Sequence, residues 1–325
     1  MIFANILLLL AGFAALVKGA DLFVGGASAL ARRFHVPSLV IGLTIVAIGT
    51  SAPELAVSTA AAVQGANEIA LSNVVGSNVF NLLVVLGLCA ILHPVPTDRS
   101  VLVRDFPLSI AATLAVLLGS SAAALFSGAA SDMAMADTVG RVGRPLALCL
   151  LIAFIAYIAW LVTDTLRHPS QEEAGEVTSL GRCALMIVAG LVLIVGGGEA
   201  VVASAKVIAR ALGMTETLIG LTIVAVGTSL PELVTSLVAA RKGETGLAVG
   251  NVIGSNLLNL LFVLGLSAAI NPIGVNLASV FDLGILAATS LLTFVFLYTV
   301  RRIDRWEGIV MVALYVADVV YAALR

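Results

Sequence analysis

Apolar runs of about 20 residues recur along the whole chain, separated by short clusters of charged residues, proline and glycine. A run of this length can cross the hydrocarbon core of a bilayer as an α-helix. A transmembrane barrel would instead show segments of roughly 10 residues with alternating polarity, a pattern not found in this sequence. The pattern therefore predicts an all-α polytopic membrane protein with ten transmembrane helices, at residues 2–30, 37–63, 69–92, 104–127, 145–163, 181–209, 215–240, 246–270, 277–300 and 306–324.

Composition supports the bilayer as the solvent, because 60% of the 325 residues are hydrophobic and only 11% are charged. The net charge of −2 says little because the charges lie in loops, and no basic face suggests nucleic acid as a partner. Three cysteines, Cys89, Cys149 and Cys183, fall in or beside apolar runs without the spacing of a metal site or a disulfide framework. The first run has no basic leader, so it is expected to be a span and not a removable signal peptide.

The distribution of Lys and Arg predicts the orientation. If the spans alternate, eleven basic residues fall on one face and five on the other, with Lys18 inside a span. The positive-inside bias then places the richer face in the cytoplasm and both termini outside, as expected for a multi-pass protein of the plasma (inner) membrane. The longest cytoplasmic connection, about residues 164–180, is too short for a folded domain.

The two halves of the chain repeat each other. An offset of 178 positions aligns IGLTIVAIGTSAPE (41–54) with IGLTIVAVGTSLPE (219–232) at 12 of 14 positions, and residues 73–87 with 251–265 at 11 of 15. A unit of five spans is odd, so the second copy must enter the membrane from the opposite face. We predict two inverted five-helix repeats, 1–164 and 181–325, joined by a cytoplasmic linker at 165–180, with core segments at about 37–92 and 215–270.

Each repeat places a glutamate in the middle of an apolar span, at Glu54 and Glu232. An unpartnered carboxylate at this depth costs roughly 2.5 kcal/mol or more, so a bound cation is its natural partner. Pro53 and Pro231 cannot donate to the carbonyl four residues earlier, which predicts a kink or break beside each glutamate. A purely structural role for two symmetry-related, intramembrane glutamates after prolines is the less favoured interpretation.

Further oxygen atoms surround the two glutamates at helical spacing. Thr50 and Ser51 lie four and three residues before Glu54, and Asn73, Ser77 and Asn81 form a stripe in the next span. The second half repeats both groups as Thr228, Ser229, Asn251, Ser255 and Asn259. An all-oxygen set favours hard cations such as Ca²⁺ or Na⁺, since Zn²⁺ or Cu⁺ would call for His or Cys.

Several residues in the spans also have structural interpretations. Small and polar residues such as those of the GSN and GTS segments serve helix packing in many membrane proteins, and Gly42, Gly49, Gly76, Gly220, Gly227 and Gly254 are expected to let helices approach closely. Asp21 is expected to pair with Lys18, and Glu199, its counterpart in the second half, is expected to face a water-filled space. For both residues a direct role as an ion ligand is the less favoured alternative. Lys206 and Arg210 are expected to extend to an interface.

The paired GTSxPE and NxxGSNxxN motifs resemble those of the cation/Ca²⁺ exchanger superfamily, and the layout resembles its prokaryotic sodium/calcium exchanger (YrbG-like) branch. The resemblance covers nearly the whole chain and implies one Ca²⁺ site and adjoining Na⁺ sites, with the first and sixth spans sliding across the core. It also implies the ligands: for Ca²⁺, Glu54, Glu232, Thr50, Thr228 and the carbonyls of Ala47 and Ala225; for Na⁺, Ser51, Ser77, Ser229 and Ser255; and at the centre, Asn81 and Asn259.

Some members of that superfamily carry aspartate in place of Asn81 or Asn259, so this site holds less negative charge. The resemblance therefore does not set the stoichiometry or a potassium requirement. We predict a secondary active antiporter that exports Ca²⁺ in exchange for Na⁺, works as a monomer in the lipid bilayer and needs no cofactor. Ca²⁺/H⁺ exchange, or another cation/proton exchange, is the alternative. A passive cation channel, or an intramembrane serine hydrolase lacking an evident base, is less favoured.

Overall fold

The computed structural model describes residues 2–127, 133–168, 178–214 and 225–324. Within these ranges, eight helices are long and apolar enough to cross a membrane, or nine if the bent pair Ser38–Thr50 and Ala52–Val63 is one span. The protein is therefore mostly helical and multi-pass, as the sequence predicts. Residues 215–224, which open the predicted seventh span, lie outside the described residues, so ten spans stay a prediction.

The helices follow the predicted spans closely. In the first part of the chain they are α1 (Ile2–Phe34), α2 (Ser38–Ile41), α3 (Ala47–Thr50), α4 (Ala52–Val63), α5 (Asn67–Phe80), α6 (Gly87–Leu92), α7 (Phe106–Ser127) and α8 (Arg144–Arg167). In the second part they are α9 (Leu180–Ala211), α10 (Ala225–Thr228), α11 (Leu230–Arg241), α12 (Thr245–Leu257), α13 (Leu264–Ile270), α14 (Leu277–Val300) and α15 (Arg305–Leu324). Wider π-helical turns extend or join some of these, at Gly42–Val46, Asn81–Leu86, Val101–Asp105 and Leu258–Val263.

The all-α prediction misses four short strands in the connections. Strand β1 (Val95–Pro96) pairs antiparallel with β4 (Arg302–Ile303), and β2 (Thr138–Val142) pairs antiparallel with β3 (Ile273–Asn276). Their runs are too short to be recognised from alternating polarity, and the pairing joins loops that are far apart in the chain. The strands tie together the ends of helices from different halves.

The two helices that carry the NxxGSNxxN motifs lie at the centre of the bundle. In the most apolar 18-residue stretch of each span, 83% of the residues are buried in Glu68–Leu92 and 78% in Thr245–Ile270. The corresponding fraction is 17% in α1 and in α15. Polar side chains on central helices must find partners within the protein, because neither water nor lipid headgroups reach them. The fold therefore forces the motif residues of both halves against one another.

Glycine brings α1 and α9 into backbone contact. A Cβ atom added at Gly19 would lie 2.8 Å from the carbonyl oxygen of Gly190, and one added at Gly190 would lie 2.8 Å from that of Gly19. A Cβ added at Gly12 would lie 2.9 Å from the carbonyl oxygen of Gly197, and one added at Gly197 would lie 2.8 Å from that of Gly12. Such close approach is what small residues allow in membrane helices. The first and sixth predicted spans thus form one tightly packed pair.

The prediction that the motif glycines permit close approach is right for Gly254 and wrong for Gly76. A Cβ at Gly254 would lie 2.7 Å from both Cα and O of Leu43, whereas one at Gly76 would meet no described atom within 4 Å. Gly76 instead borders a cavity shared with Tyr315. Equivalent positions of the two repeats therefore differ in packing. The predicted packing role of Gly220 falls outside the described residues.

Candidate functional site

A break in each motif helix positions the two glutamates. Helix α3 ends at Thr50, Ser51 adopts φ −83° and ψ 11°, and α4 restarts with Pro53 and Glu54 in its first turn. Ser229 adopts φ −92° and ψ 6° before α11, which carries Glu232 in its first turn. The first half bends by 50° at this point. Proline suits the start of the second helix because the amide hydrogens of a first turn have no helical partner. The predicted interruption is confirmed in both halves, and each carboxylate lies near the positive end of a helix dipole.

Serines cross-connect the two carboxylates. The Ser51 hydroxyl donates to Oε1 of Glu232 at 2.8 Å, and the Ser229 hydroxyl donates to Oε1 of Glu54 at 3.0 Å. Ser77 adds a longer hydrogen bond to the same oxygen of Glu54, at 3.4 Å. Both glutamates are fully buried. The halves of the chain thus meet in one buried cluster in which each half binds the carboxylate of the other.

The stripe predicted for Asn73, Ser77 and Asn81 separates into different environments. Asn73 turns away from the carboxylates and donates to the Ser58 hydroxyl at 2.9 Å and the Glu54 carbonyl at 3.3 Å. In the second half, Asn251 makes the same contacts with the Ser236 hydroxyl at 2.9 Å and the Glu232 carbonyl at 3.4 Å. These asparagines hold the restarted helices in place.

Six buried oxygens of the predicted ligand set have no hydrogen-bond partner among the described residues: Glu54 Oε2, Glu232 Oε2, Thr228 Oγ1, Ser255 Oγ, Asn81 Oδ1 and Asn259 Oδ1. A buried polar atom without a partner is costly, and a buried carboxylate much more so. Two carboxylates with neutral oxygens around them form a set that a hard cation can satisfy.

The two threonines of the cluster differ. The Thr50 hydroxyl is fully buried and donates to Oδ1 of Asn251 at 3.0 Å, with a longer contact to the Ala47 carbonyl at 3.4 Å. The Ala47 carbonyl also accepts from the Ser51 amide at 3.0 Å. Thr228, by contrast, is only half-buried. Ala225, the counterpart of Ala47 in the second half, is the first described residue of α10.

Thr228 faces a cavity of about 520 Å³, which we call the Glu199 cavity. Its walls come from α4, α9 and the helices on either side of Ser229: among them are Pro53, Glu199, Ala203, Lys206, Thr228 and Pro231. Thr50, the counterpart of Thr228 in the first half, is fully buried and does not line this cavity. Of the two threonines, only Thr228 therefore borders this space. Glu199 lines the same cavity, and the expectation that it faces water stays a prediction.

Two ion pairs connect α1 to the turn between α11 and α12. Asp21 lies 2.6 Å from Lys242 as well as 3.3 Å from Lys18, so the predicted partner of Asp21 is confirmed and a second is added. Arg32 lies 3.3 Å from Glu244. The repeat places Gln64 and Ala66 at the positions equivalent to Lys242 and Glu244. The same pairs therefore cannot form between α9 and the first half.

Sequence reasoning missed Asn78 and Asn256. Both are buried, and each donates its side-chain amide to the backbone carbonyl of the other, at 3.2 and 3.3 Å. The signal was available, because both stand in the repeated GSN segment at the same offset of 178 positions. Spacing along one helix, however, could not show that they face each other.

The protein is helical and multi-pass, and two carboxylates and several neutral oxygens lie together at its buried centre. These are the features of a cation transporter. The chain matches the family described as sodium/calcium exchanger protein over residues 4–163 and 183–324, and it belongs to this family. The resemblance inferred from the motifs is therefore confirmed. Members of the family are membrane transporters and not enzymes, which removes the hydrolase alternative.

Individual relatives agree with this assignment. The chain is 35% identical to the sodium/calcium exchanger MaX1 of Methanosarcina acetivorans over 98% of this chain and 99% of that protein. It is 35% identical to the inner membrane protein YrbG of Escherichia coli, over 82% and 79% of the two chains. Among solved structures, the sodium-calcium exchanger NCX_Mj soaked with zero Na⁺ and Ca²⁺ matches with a TM-score of 0.82 and 32% identity over the full length of both chains.

Proposed function

We propose that this protein is a Na⁺/Ca²⁺ antiporter that exports Ca²⁺ by alternating access. The observation that carries the proposal is the buried pair of carboxylates, each bound through one oxygen by a serine of the opposite half and each with its second oxygen unpartnered. Two negative charges in an all-oxygen site match one Ca²⁺. The relative MaX1, which is named a sodium/calcium exchanger, supports Na⁺ and Ca²⁺ as the two exchanged ions.

The proposed ligands follow from the geometry of the cluster and from the motifs. Glu54 and Glu232 hold Ca²⁺ with Thr50, Thr228 and the backbone carbonyls of Ala47 and Ala225. Na⁺ uses the same carboxylates together with Ser51, Ser77, Ser229 and Ser255. The Oδ1 atoms of Asn81 and Asn259 complete the centre; their lack of hydrogen-bond donors within the described residues supports this role.

Coupling arises because the two ions compete for the same carboxylates. Na⁺ and Ca²⁺ cannot both occupy sites that share Glu54 and Glu232, so binding of one releases the other. An empty site carries two buried charges, and moving it through the membrane barrier is costly. The protein therefore changes its facing state when loaded, and an ion can shift that equilibrium only by its differential affinity for the two states.

We further propose ten spans in two inverted repeats, residues 1–164 and 181–325, with the linker 165–180. Support comes from the paired contacts between halves: Ser51 to Glu232 matches Ser229 to Glu54, and Asn73 to Ser58 matches Asn251 to Ser236. Each contact recurs when the halves are exchanged, as a pseudo-two-fold axis requires. Because one chain supplies the whole cluster, a monomer is sufficient for transport.

The proposed orientation places both termini outside the plasma (inner) membrane. Contacts group the loops into two sets: Val95 pairs with Ile303, and Arg33 binds the Thr178 carbonyl, whereas β2 and β3 join another set. The first set is the one rich in Lys and Arg, which supports its cytoplasmic location. The Glu199 cavity then opens toward the outside, and the ion pairs of α1 lie toward the cytoplasm. Access alternates when the packed α1 and α9 pair slides across the core.

Flux measurements in proteoliposomes test the proposal. Radiolabelled Ca²⁺ uptake should follow an imposed outward Na⁺ gradient and should be saturable, because each exchange cycle binds both ions at one site. Gradients of K⁺ or H⁺ imposed alone should not drive it. Uptake that follows a pH gradient and ignores Na⁺ would favour Ca²⁺/H⁺ exchange, and Ca²⁺ flux without any counter-ion would favour a channel.

The ion pairs of α1 are expected to favour the state in which the Glu199 cavity is open. Exposed pairs contribute about 0.2–1 kcal/mol each, so removing both with Arg32→Gln and Lys242→Gln should lower the open-to-closed ratio by roughly 2- to 30-fold.

A cysteine at Ala203, in a Cys149→Ser background, reports this ratio through its labelling rate with a membrane-impermeant maleimide. Arg302→Gln is the control, because it removes the 2.8 Å pair with Asp304 and leaves α1 untouched. Equal labelling rates in the double variant and the control would refute the role of these pairs.

A further inference from the structure

Asn78 and Asn256 form a closed hydrogen-bonded ring at the contact between the two central helices, and two further buried asparagines, Asn81 and Asn259, donate to it. Asn78 and Asn256 donate to each other's backbone carbonyls, as described above, and their side-chain oxygens accept from two further amides. Asn259 Nδ2 donates to Oδ1 of Asn78 at 3.2 Å, and Asn81 Nδ2 donates to Oδ1 of Asn256 at 3.2 Å. All four side chains are at most 1% exposed.

The ring determines which end of each amide faces the ion site. A backbone carbonyl can only accept a hydrogen bond, so the NH₂ group of Asn78 must point toward the Asn256 carbonyl. Oδ1 of Asn78 is then the atom that meets Asn259, and Asn259 must present its NH₂ group to it. The remaining atom of Asn259, Oδ1, therefore points away from the ring. The same sequence of constraints runs from Asn256 to Asn81.

The ring explains the two unpartnered amide oxygens. Oδ1 of Asn81 and Oδ1 of Asn259 have no hydrogen-bond donor among the described residues, while the NH₂ groups of both are engaged. An asparagine turned the other way would direct its NH₂ hydrogens, which carry partial positive charge, toward a bound cation. Outer partners of metal ligands commonly fix ligand orientation in this way, and losing one costs about 10- to 100-fold in affinity.

We propose that Asn78 and Asn256 are positioning residues: each orients an asparagine of the opposite half so that its carbonyl oxygen faces the transported cation. The inference rests on the proposed function, since it assumes that Asn81 and Asn259 are ligands. It assigns a role to two residues that do not face the cation themselves. It also couples the halves, because each ligand amide is oriented by the other repeat.

A double-mutant cycle tests the proposal with radiolabelled Ca²⁺ uptake driven by a Na⁺ gradient. Asn78→Ala should raise the KM for Ca²⁺ by about 10- to 100-fold. In an Asn259→Ala background the same change should add almost nothing, because the amide that it orients is gone. In an Asn81→Ala background it should keep most of its effect, since Asn81 is oriented by Asn256.

Asn271→Ala is a matched control, because Asn271 also donates its amide to a carbonyl of the opposite half, that of Ala62 at 3.2 Å, and contacts no proposed ligand. Its KM should stay near that of the unmodified protein even if its Tm falls. Asn78→Asp keeps the size of the side chain and the acceptor for Asn259, and it removes only the amide that donates to the Asn256 carbonyl. It should not weaken Ca²⁺ binding, and it serves as the test if the alanine variant does not fold.

Several results would overturn the inference. They are an unchanged KM in folded Asn78→Ala, full additivity with Asn259→Ala, or a KM in Asn78→Asp raised as far as in Asn259→Ala. Failure of the proposed function has a different signature. If Ca²⁺ transport survives in Glu54→Gln, the ion site itself is misplaced and the role of the ring falls with it. If Glu54→Gln is inactive and Asn78→Ala is normal, only the positioning role is wrong.

Discussion

Glu54→Gln and Glu232→Gln are each expected to abolish Na⁺-driven Ca²⁺ transport while leaving the protein folded. Glutamine keeps the size of the side chain and an oxygen that can accept from Ser229 or Ser51, so the contacts between the halves survive. It removes one of the two charges that face the cation. Truncating one partner of a buried charge interaction costs about 2–5 kcal/mol, so Ca²⁺ affinity should fall by roughly 30- to 5,000-fold.

Ca²⁺ uptake and the Tm of the purified protein, measured on the same preparations, check this expectation. Glu307→Gln is the matched control, because Glu307 is also buried but binds the Asp304 amide at 2.8 Å and does not contact the carboxylate cluster. It should retain transport. Calcium flux preserved in either cluster variant would show that the paired carboxylates are not the ion site, whatever the Tm.

Gly254→Ala is expected to destabilise the protein strongly, whereas Gly76→Ala, its counterpart in the first half, is not. At Gly254 the added methyl group would lie 2.7 Å from backbone atoms of Leu43 and 2.9 Å from Cβ of Ala47, and backbone cannot move aside cheaply. Overpacking of this kind costs about 1–3 kcal/mol. At Gly76 the methyl group would meet no described atom within 4 Å, and alanine favours the helix by up to about 1 kcal/mol.

The Tm of the two variants in the same detergent or lipid measures the difference. Gly254→Ala should melt several degrees below the unmodified protein and give a lower folded yield, while Gly76→Ala should melt at or above it. The two substitutions are chemically identical and lie at equivalent positions of the repeat. The variants are therefore matched in composition and in the demands of expression. Equal losses in both variants would mean that the close contact of Gly254 with Leu43 does not support the fold.

Much of the architecture could be predicted because a bilayer imposes simple rules on a sequence. Length and polarity locate the spans, and proline placement locates the interruptions beside Glu54 and Glu232. The repeat of 178 residues pairs the two motifs without any coordinates. The short strands were missed because two to five residues carry no usable periodicity, and their pairing depends on loops distant in the chain.

Within the candidate site, the residue types were predictable but their connections were not. Asn73 and Asn81 have the same helical spacing from Ser77, yet Asn73 donates to Ser58 and Asn81 donates to the side-chain oxygen of Asn256. Which oxygen stays without a donor depends on what the neighbouring helix presents. Spacing along one helix defines a face of that helix and says nothing about the residue opposite.

By itself, the sequence determined a helical membrane protein with a duplicated, carboxylate-bearing core, since hydropathy, proline chemistry and internal identity are properties of the chain alone. Only the tertiary structure decided how the copies differ: Gly254 is packed and Gly76 is not, and Thr228 borders the Glu199 cavity while Thr50 is buried. The physical reason is that near-identical motifs are packed against non-identical neighbours. Contacts between residues about 180 positions apart, absent from any local pattern, set which atoms remain available to a cation.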